Sequence, residues 1–176
     1  MKVNSKNKGS RFERAICKWF SEWTGYEFSR VPASGGLRWK KTDNITSDIT
    51  CTDPKHSRKF PFSIECKNYQ DIKFEHTLLG NKGCKIRSFW DQAVNDANRG
   101  NKVPILVMKY NNMPKGEAFM MVDHCTGKWL SSKNKNLKYW YIHTEDLDTY
   151  VFMLSEIKGL EYKAFYKFTK DRIKKK

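Results

Sequence analysis

Phe60-Pro61-Phe62-Ser63-Ile64-Glu65-Cys66-Lys67 is the stretch whose reading decides the fold. Its side chains alternate with a period of two, the pattern of a strand. Phe60, Phe62, Ile64 and Cys66 fall on one face, and Ser63, Glu65 and Lys67 on the other. Glu65 and Lys67 therefore project together, about 7 Å apart along the strand. A second strand is expected over Asp48–Thr52, and the intervening 53–59 stretch, Asp-Pro-Lys-His-Ser-Arg-Lys, has turn chemistry. If the two strands close as an antiparallel hairpin, a turn centred between His56 and Ser57 sets Asp48 opposite Glu65. Opposed side chains have Cβ atoms about 5 Å apart.

Two carboxylates that close repel each other unless a cation lies between them. Magnesium takes oxygen ligands and keeps several waters. Asp48, Glu65 and the backbone carbonyl of Cys66 could supply the protein oxygens, and Lys67 could orient a water or, with a depressed pKa, deprotonate it. A metal so held lowers the pKa of a bound water and offsets charge on a phosphorane. These residues imply metal-dependent hydrolysis of a phosphodiester.

The bulk composition agrees with an anionic polymer as substrate. The 176 residues carry a formal charge of +15, and the pI is about 9.6. Such a field gathers polyphosphates over roughly 8–10 Å at ordinary salt and points to nucleic acid. No apolar run has the length of a membrane span, and the first residues lack the core of a signal peptide. The five cysteines are an odd number with no Cys-x-x-Cys pair, which argues for reduced thiols in a cytoplasmic setting and against zinc.

Working outward from the hairpin, residues 1–9 read as a loose arm. A helix is expected over Arg11–Trp23, capped by Ser10, stopped by Gly25, and striped with Phe12, Ala15, Ile16, Trp19, Phe20 and Trp23. A short strand is expected near Tyr26–Val31, then a loop at Pro32-Ala33-Ser34-Gly35-Gly36. Beyond the central strand, the pattern predicts a helix over Lys85–Asn98, a doubly buried strand over Val103–Met108, strands over Glu117–Asp123 and Lys138–His143, and a helix over Glu145–Lys158. The expected fold class is α/β or α+β: a central mixed sheet flanked by helices in one domain, residues 1–176, with a core of about 6–110 and an α+β extension of about 111–176.

Asp48 with Glu65-Cys66-Lys67 resembles the two motifs of the PD-(D/E)xK nuclease superfamily, which implies a restriction-endonuclease-like core. Within it the chain looks like the small Holliday junction resolvases of the archaeal type and their phage relatives. Lys8-Gly9-Ser10-Arg11-Phe12-Glu13-Arg14 is similar to the family's opening motif, which implies a metal-site role for Glu13. Arg30 through Gly36 resembles its arginine strand and serine loop, implying that Arg30 and Ser34 contact the scissile phosphate region. Trp90-Asp91-Gln92-Ala93 is similar to the later helix, where Gln92 would assist the site. Ser47 replaces the proline of the first motif. Asp43, Asp53 and Asp71 are spare carboxylates that could substitute as ligands, Asp43 foremost.

Arg11 on the opening helix, and Arg38, Lys40 and Lys41 beside Trp39, are further candidate DNA contacts; charge next to an aromatic suits a distorted or single-stranded segment. The resulting expectation is a cytoplasmic, phage-like, Mg²⁺-dependent DNA endonuclease, with Mn²⁺ able to substitute. A junction resolvase acting as a homodimer on branched DNA is favoured. The alternatives are a restriction-like or nicking enzyme of the same fold, or a DNA-binding protein without catalysis.

Overall fold

The computed structural model describes residues 5–31, 47–80 and 84–174. The opening helix α1 spans Ser5–Thr24. It starts earlier than the sequence pattern suggests, so Ser10 lies inside it rather than capping it, and part of the expected loose arm is helical. Phe12, Ile16, Trp19 and Phe20 are buried and Trp23 packs against them, whereas Ala15 faces solvent. Gly25 stops the helix with φ +75, a left-handed conformation that glycine adopts without a Cβ clash.

Among the described residues seven strands form one mixed sheet: β1 (Phe28–Arg30), β2 (Ile49–Cys51), β3 (Phe62–Tyr69), β4 (Val103–Tyr110), β5 (Phe119–Asp123), β6 (Tyr139–His143) and β7 (Asp148–Met153). Their spatial order is β1-β2-β3-β4-β5-β7-β6. Of these strands only β3 and β4 run parallel, joined through α2 (Glu75–Leu78) and α3 (Lys85–Arg99). A parallel pair needs such a crossover. The remaining helices are α4 (His124–Lys133), α5 (Leu154–Lys158) and α6 (Tyr162–Lys174). The restriction-endonuclease-like α+β architecture is present, and β5, β7 and β6 of the carboxy-terminal stretch belong to the same sheet as the core strands.

Strand alternation divides the core into two layers. Ile64, Cys66, Ile105, Val107, Met120 and Phe152 face α1 and α6. Leu106, Met108, Met121 and Val151 face Ile86, Phe89, Trp90 and Ala93 of α3. The expectation of a helix over Glu145–Lys158 is wrong. That stretch holds β7 followed by the short α5. Thr149, Tyr150, Val151 and Phe152 are consecutive buried residues, as in a strand covered on both faces. Among the described residues no helix is long and apolar enough to cross a membrane.

Candidate active site

The site forms where β2 leaves β3. Ile49 pairs with Ile64, so the index sum is that of the expected hairpin. The amide of Asp48 also donates to the Ile64 carbonyl, at 3.1 Å. Two successive residues thus oppose one on β3, the local count of a β-bulge, a feature that re-aims side chains. From Glu65 to Tyr69, β3 pairs with β4 on one side, while β2 pairs with it only as far as Ile64. The Asp48 carboxylate fills part of that gap by accepting the Cys66 amide at 2.9 Å. A strand residue sends its N–H and C=O to the same edge, so the Cys66 carbonyl also leaves toward Asp48.

Glu65 is buried and points to the α3 face. Its Oε1 accepts from Lys67 Nζ at 2.6 Å and from Gln92 Nε2 at 2.7 Å. Gln92 Oε1 accepts from the same Lys67 Nζ at 2.9 Å, which closes a triangle of three side chains. Lys67 also sits 5.5 Å from the centre of the Phe89 ring. Gln92 can reach Glu65 because α3 lies across β3 and β4 with Ala93 and Trp90 buried beside it.

Burial, and next the charge of Asp48, raise the Glu65 carboxyl to about 7 against the pull of Lys67. Burial works to lower Lys67, yet its hydrogen bond to Glu65 and the charges of Glu65 and Asp48 outweigh that, and the net shift is upward. The net shift runs opposite to the depression that a general-base role would use, and here Lys67 serves as a hydrogen-bond donor to Glu65 and Gln92.

Glu13 comes from α1. Lys8 Nζ donates to the Tyr69 carbonyl at 3.2 Å and to Asn111 Oδ1, fixing the start of α1 at the outer end of β3 and β4. One and a half turns later Glu13 Oε2 accepts from Arg30 Nε of β1 in a half-buried pair. The Cys66 thiol is driven well up by burial and then by the charges of Asp48, Glu65 and Glu13, so three carboxylates act on one point of β3. Cys17, next to Glu13 and Arg30, is raised to about 11, mainly by burial.

The structure thus joins Glu65, Lys67 and Gln92 directly and sets Asp48 beside them on the Cys66 amide, while Glu13 and Arg30 form a separate pair on the α1 side of the sheet. Arg11 is exposed on α1. Ser34, Arg38, Lys40, Lys41 and the substitute ligand Asp43 lie outside the described residues. Asp53 is engaged elsewhere, with His56, and Asp71 pairs with Lys73. Asp96 escaped the sequence reading. It is buried one turn beyond Gln92, pairs with Arg99 and adds to the upward push on Glu65. Its four-residue spacing from Gln92 on one helix face was the available signal.

Among the described residues no three His, Cys, Asp or Glu side chains are grouped to cage a metal by themselves. The donor set still suits a hard cation bound by one or two carboxylates and waters. Glu65 is a buried carboxylate whose ionisation is opposed by Asp48, and a divalent cation would relieve that opposition.

Residues 4–175 match the sequence model of a family described as "Phage putative PDDEXK endonuclease". The chain is also 28% identical over 109 residues to Protein D14 of Escherichia phage T5, covering 62% of this chain and 66% of that protein, just under two thirds of its length. No solved structure matches significantly.

Proposed function

The chain belongs to this family of phage PD-(D/E)xK endonucleases, and on that premise we propose that it is a divalent-metal-dependent DNA endonuclease with its centre at Asp48, Glu65 and Lys67. The observation that carries the reading is the Lys67–Glu65–Gln92 triangle set beside Asp48 at the gap between β2 and β3. Asp48, Glu65 and the Cys66 carbonyl would hold Mg²⁺ or Mn²⁺, with Glu13 as a further carboxylate. The bound cation supplies Lewis acidity toward the phosphate and lowers the pKa of a water.

The chain's own residues account for the rest. Gln92 holds Glu65 and Lys67 in one geometry, so neither long side chain searches for its position. Lys67 remains a cation and donates its protons to the attacking water or to the developing negative charge on the phosphate. Arg30, held by Glu13, stands ready for a phosphate oxygen, and exposed Arg11 adds a backbone contact. Ser34, Arg38, Lys40 and Lys41 complete the proposed DNA contacts. A net charge of +15 makes binding fall steeply with salt.

The favoured substrate is a branched or four-way junction, cut by a two-fold homodimer that presents two centres to two strands. The test is cleavage of a labelled four-way junction and a linear duplex of matched sequence, in Mg²⁺ and in EDTA. Junction-selective cutting that EDTA abolishes supports the full reading. Equal cutting of both substrates removes the junction preference and leaves a general or nicking endonuclease. No cutting of either in any divalent metal overturns the catalytic reading.

A further inference from the structure

Among the described residues the large apolar side chains most open to solvent are Leu78 (73%), Leu79 (71%), Trp140 (55%), Tyr139 (45%) and Tyr141 (44%). Three of the five lie on β6, an edge strand of the sheet. The leucines end the short α2, which begins beside Phe74, and Phe74 meets the Trp140 ring at 6.1 Å. The exposed aromatic surface is therefore concentrated along the β6 edge. Strand edges are normally blunted, because unpaired N–H and C=O groups recruit another strand. The opposite edge, β1, is only three residues long. β6 is five residues long, and none of the five is a proline, lysine or arginine.

We propose that β6 is a self-association edge: two copies of this chain pair their β6 strands antiparallel about a two-fold axis at Tyr141, joining the two sheets. Three features select a second copy as the occupant. An antiparallel edge is self-complementary, so one patch serves both subunits. Centring the pair on Tyr141 uses the whole strand, with Tyr139 facing the partner's His143 and Trp140 facing the partner's Ile142. Charge is complementary as well. Exposed Lys133, Lys135 and Lys138 lead into β6 and exposed Glu145 follows it, whereas the nearby Asp146 already pairs with Arg87 and Asp148 of β7 with His124, His143 and Tyr141. Antiparallel pairing sets the basic lead-in of each copy beside Glu145 of the other, twice, a local attraction at the seam between two chains of charge +15.

The edge is also supported from behind. Tyr139 and Tyr141 rest on Tyr150 at 5.2 and 4.7 Å, Trp140 rests on Phe119 at 5.6 Å, and the Tyr141 hydroxyl donates to Asp148 at 2.8 Å. The aromatics are thus pre-ordered for contact, which reduces the entropy lost on association. This inference goes beyond the nuclease reading and gives the proposed homodimer a surface, but it stands or falls on association alone.

Sedimentation of the full chain over a range of concentrations is the first test. A dimer is expected for the wild type, with its dissociation constant raised at least tenfold by Trp140→Lys or Tyr141→Lys, in proteins whose circular dichroism shows them folded. The second test replaces the exposed Cys125 by Ser, which leaves four buried cysteines, and places one exposed thiol at the axis with Tyr141→Cys. An added oxidant should then give a covalent dimer, whereas Ser29→Cys on the β1 edge should not. A wild type that stays monomeric, or cross-linking no better at 141 than at 29, overturns the proposal. Loss of cleavage in a protein that still dimerises counts against the catalytic reading and not against this surface.

Discussion

Replacing Glu65 by glutamine should make the metal-free protein more stable at alkaline pH. The wild-type carboxyl is raised from 4.5 to about 7 in the folded chain, first by burial and then by Asp48. Because the folded pKa lies above the unfolded one, the folded state binds this proton more tightly. The stability attached to it is complete below about pH 4.5 and is lost as pH rises through about 7. Moving that carboxyl from 4.5 to about 7 corresponds to a penalty on the order of 3 kcal/mol at pH 8. Glutamine mimics the protonated acid, and its Oε1 can still accept from Lys67 and Gln92. In EDTA, Glu65→Gln should therefore melt roughly 5–10 °C above wild type at pH 8, and close to wild type at pH 4.5.

Saturating Mg²⁺ should reverse the order at pH 8, because only the wild type gains the linkage stabilisation of a bound cation. Thermal melts and urea titrations at both pH values, with EDTA and with Mg²⁺, check this. A variant less stable than wild type in EDTA at pH 8 would refute the assignment of Glu65 as a strained carboxylate. An equal gain from Mg²⁺ in both proteins would instead refute the assignment of Glu65 as a metal ligand.

Three other outcomes are expected. Asp48→Asn should abolish cleavage while keeping DNA affinity within a few-fold, as read by a nuclease assay and a gel-shift titration; an active variant contradicts the ligand assignment. Tyr162 has a buried hydroxyl with no hydrogen-bond partner among the described residues, so Tyr162→Phe should raise stability by about 1 kcal/mol, the cost of an unmet hydroxyl, in urea unfolding. A Cβ on Gly127 of α4 would lie 2.2 Å from the Tyr150 ring. Gly127→Ala should therefore cost about 1–3 kcal/mol, as overpacking does, and the melting temperature should fall accordingly.

The centre of the sheet was legible because its residues obey local rules. Phe62, Ile64 and Cys66 alternate with Ser63, Glu65 and Lys67, and the short turn before them fixes the hairpin sum that Ile49 and Ile64 obey. Neither rule could foresee the bulge at Asp48, where hydrogen bonding to β3 and the departure of the chain decide the side-chain direction. β7 was misread because Leu147, Tyr150, Val151, Leu154 and Ile157 also fit a helical stripe. What makes part of that stretch a strand is pairing on both sides, with β5 and with β6, which no local period reports.

α4 was missed for the opposite reason. A glycine and two serines weaken its helical pattern, and the glycine is there because Tyr150 of β7 presses against the helix. In the site, Gln92 reaches Glu65 and Lys67 of β3 from α3, a contact visible only once α3 is packed on β3 and β4.

The most direct test of the account is a titration of Mn²⁺ into the protein–DNA complex, with free Mn²⁺ followed by electron paramagnetic resonance. The wild type should retain bound metal that both Asp48→Asn and Glu65→Gln lose. If either variant holds Mn²⁺ as the wild type does, these two carboxylates do not share a cation and the proposed centre is wrong.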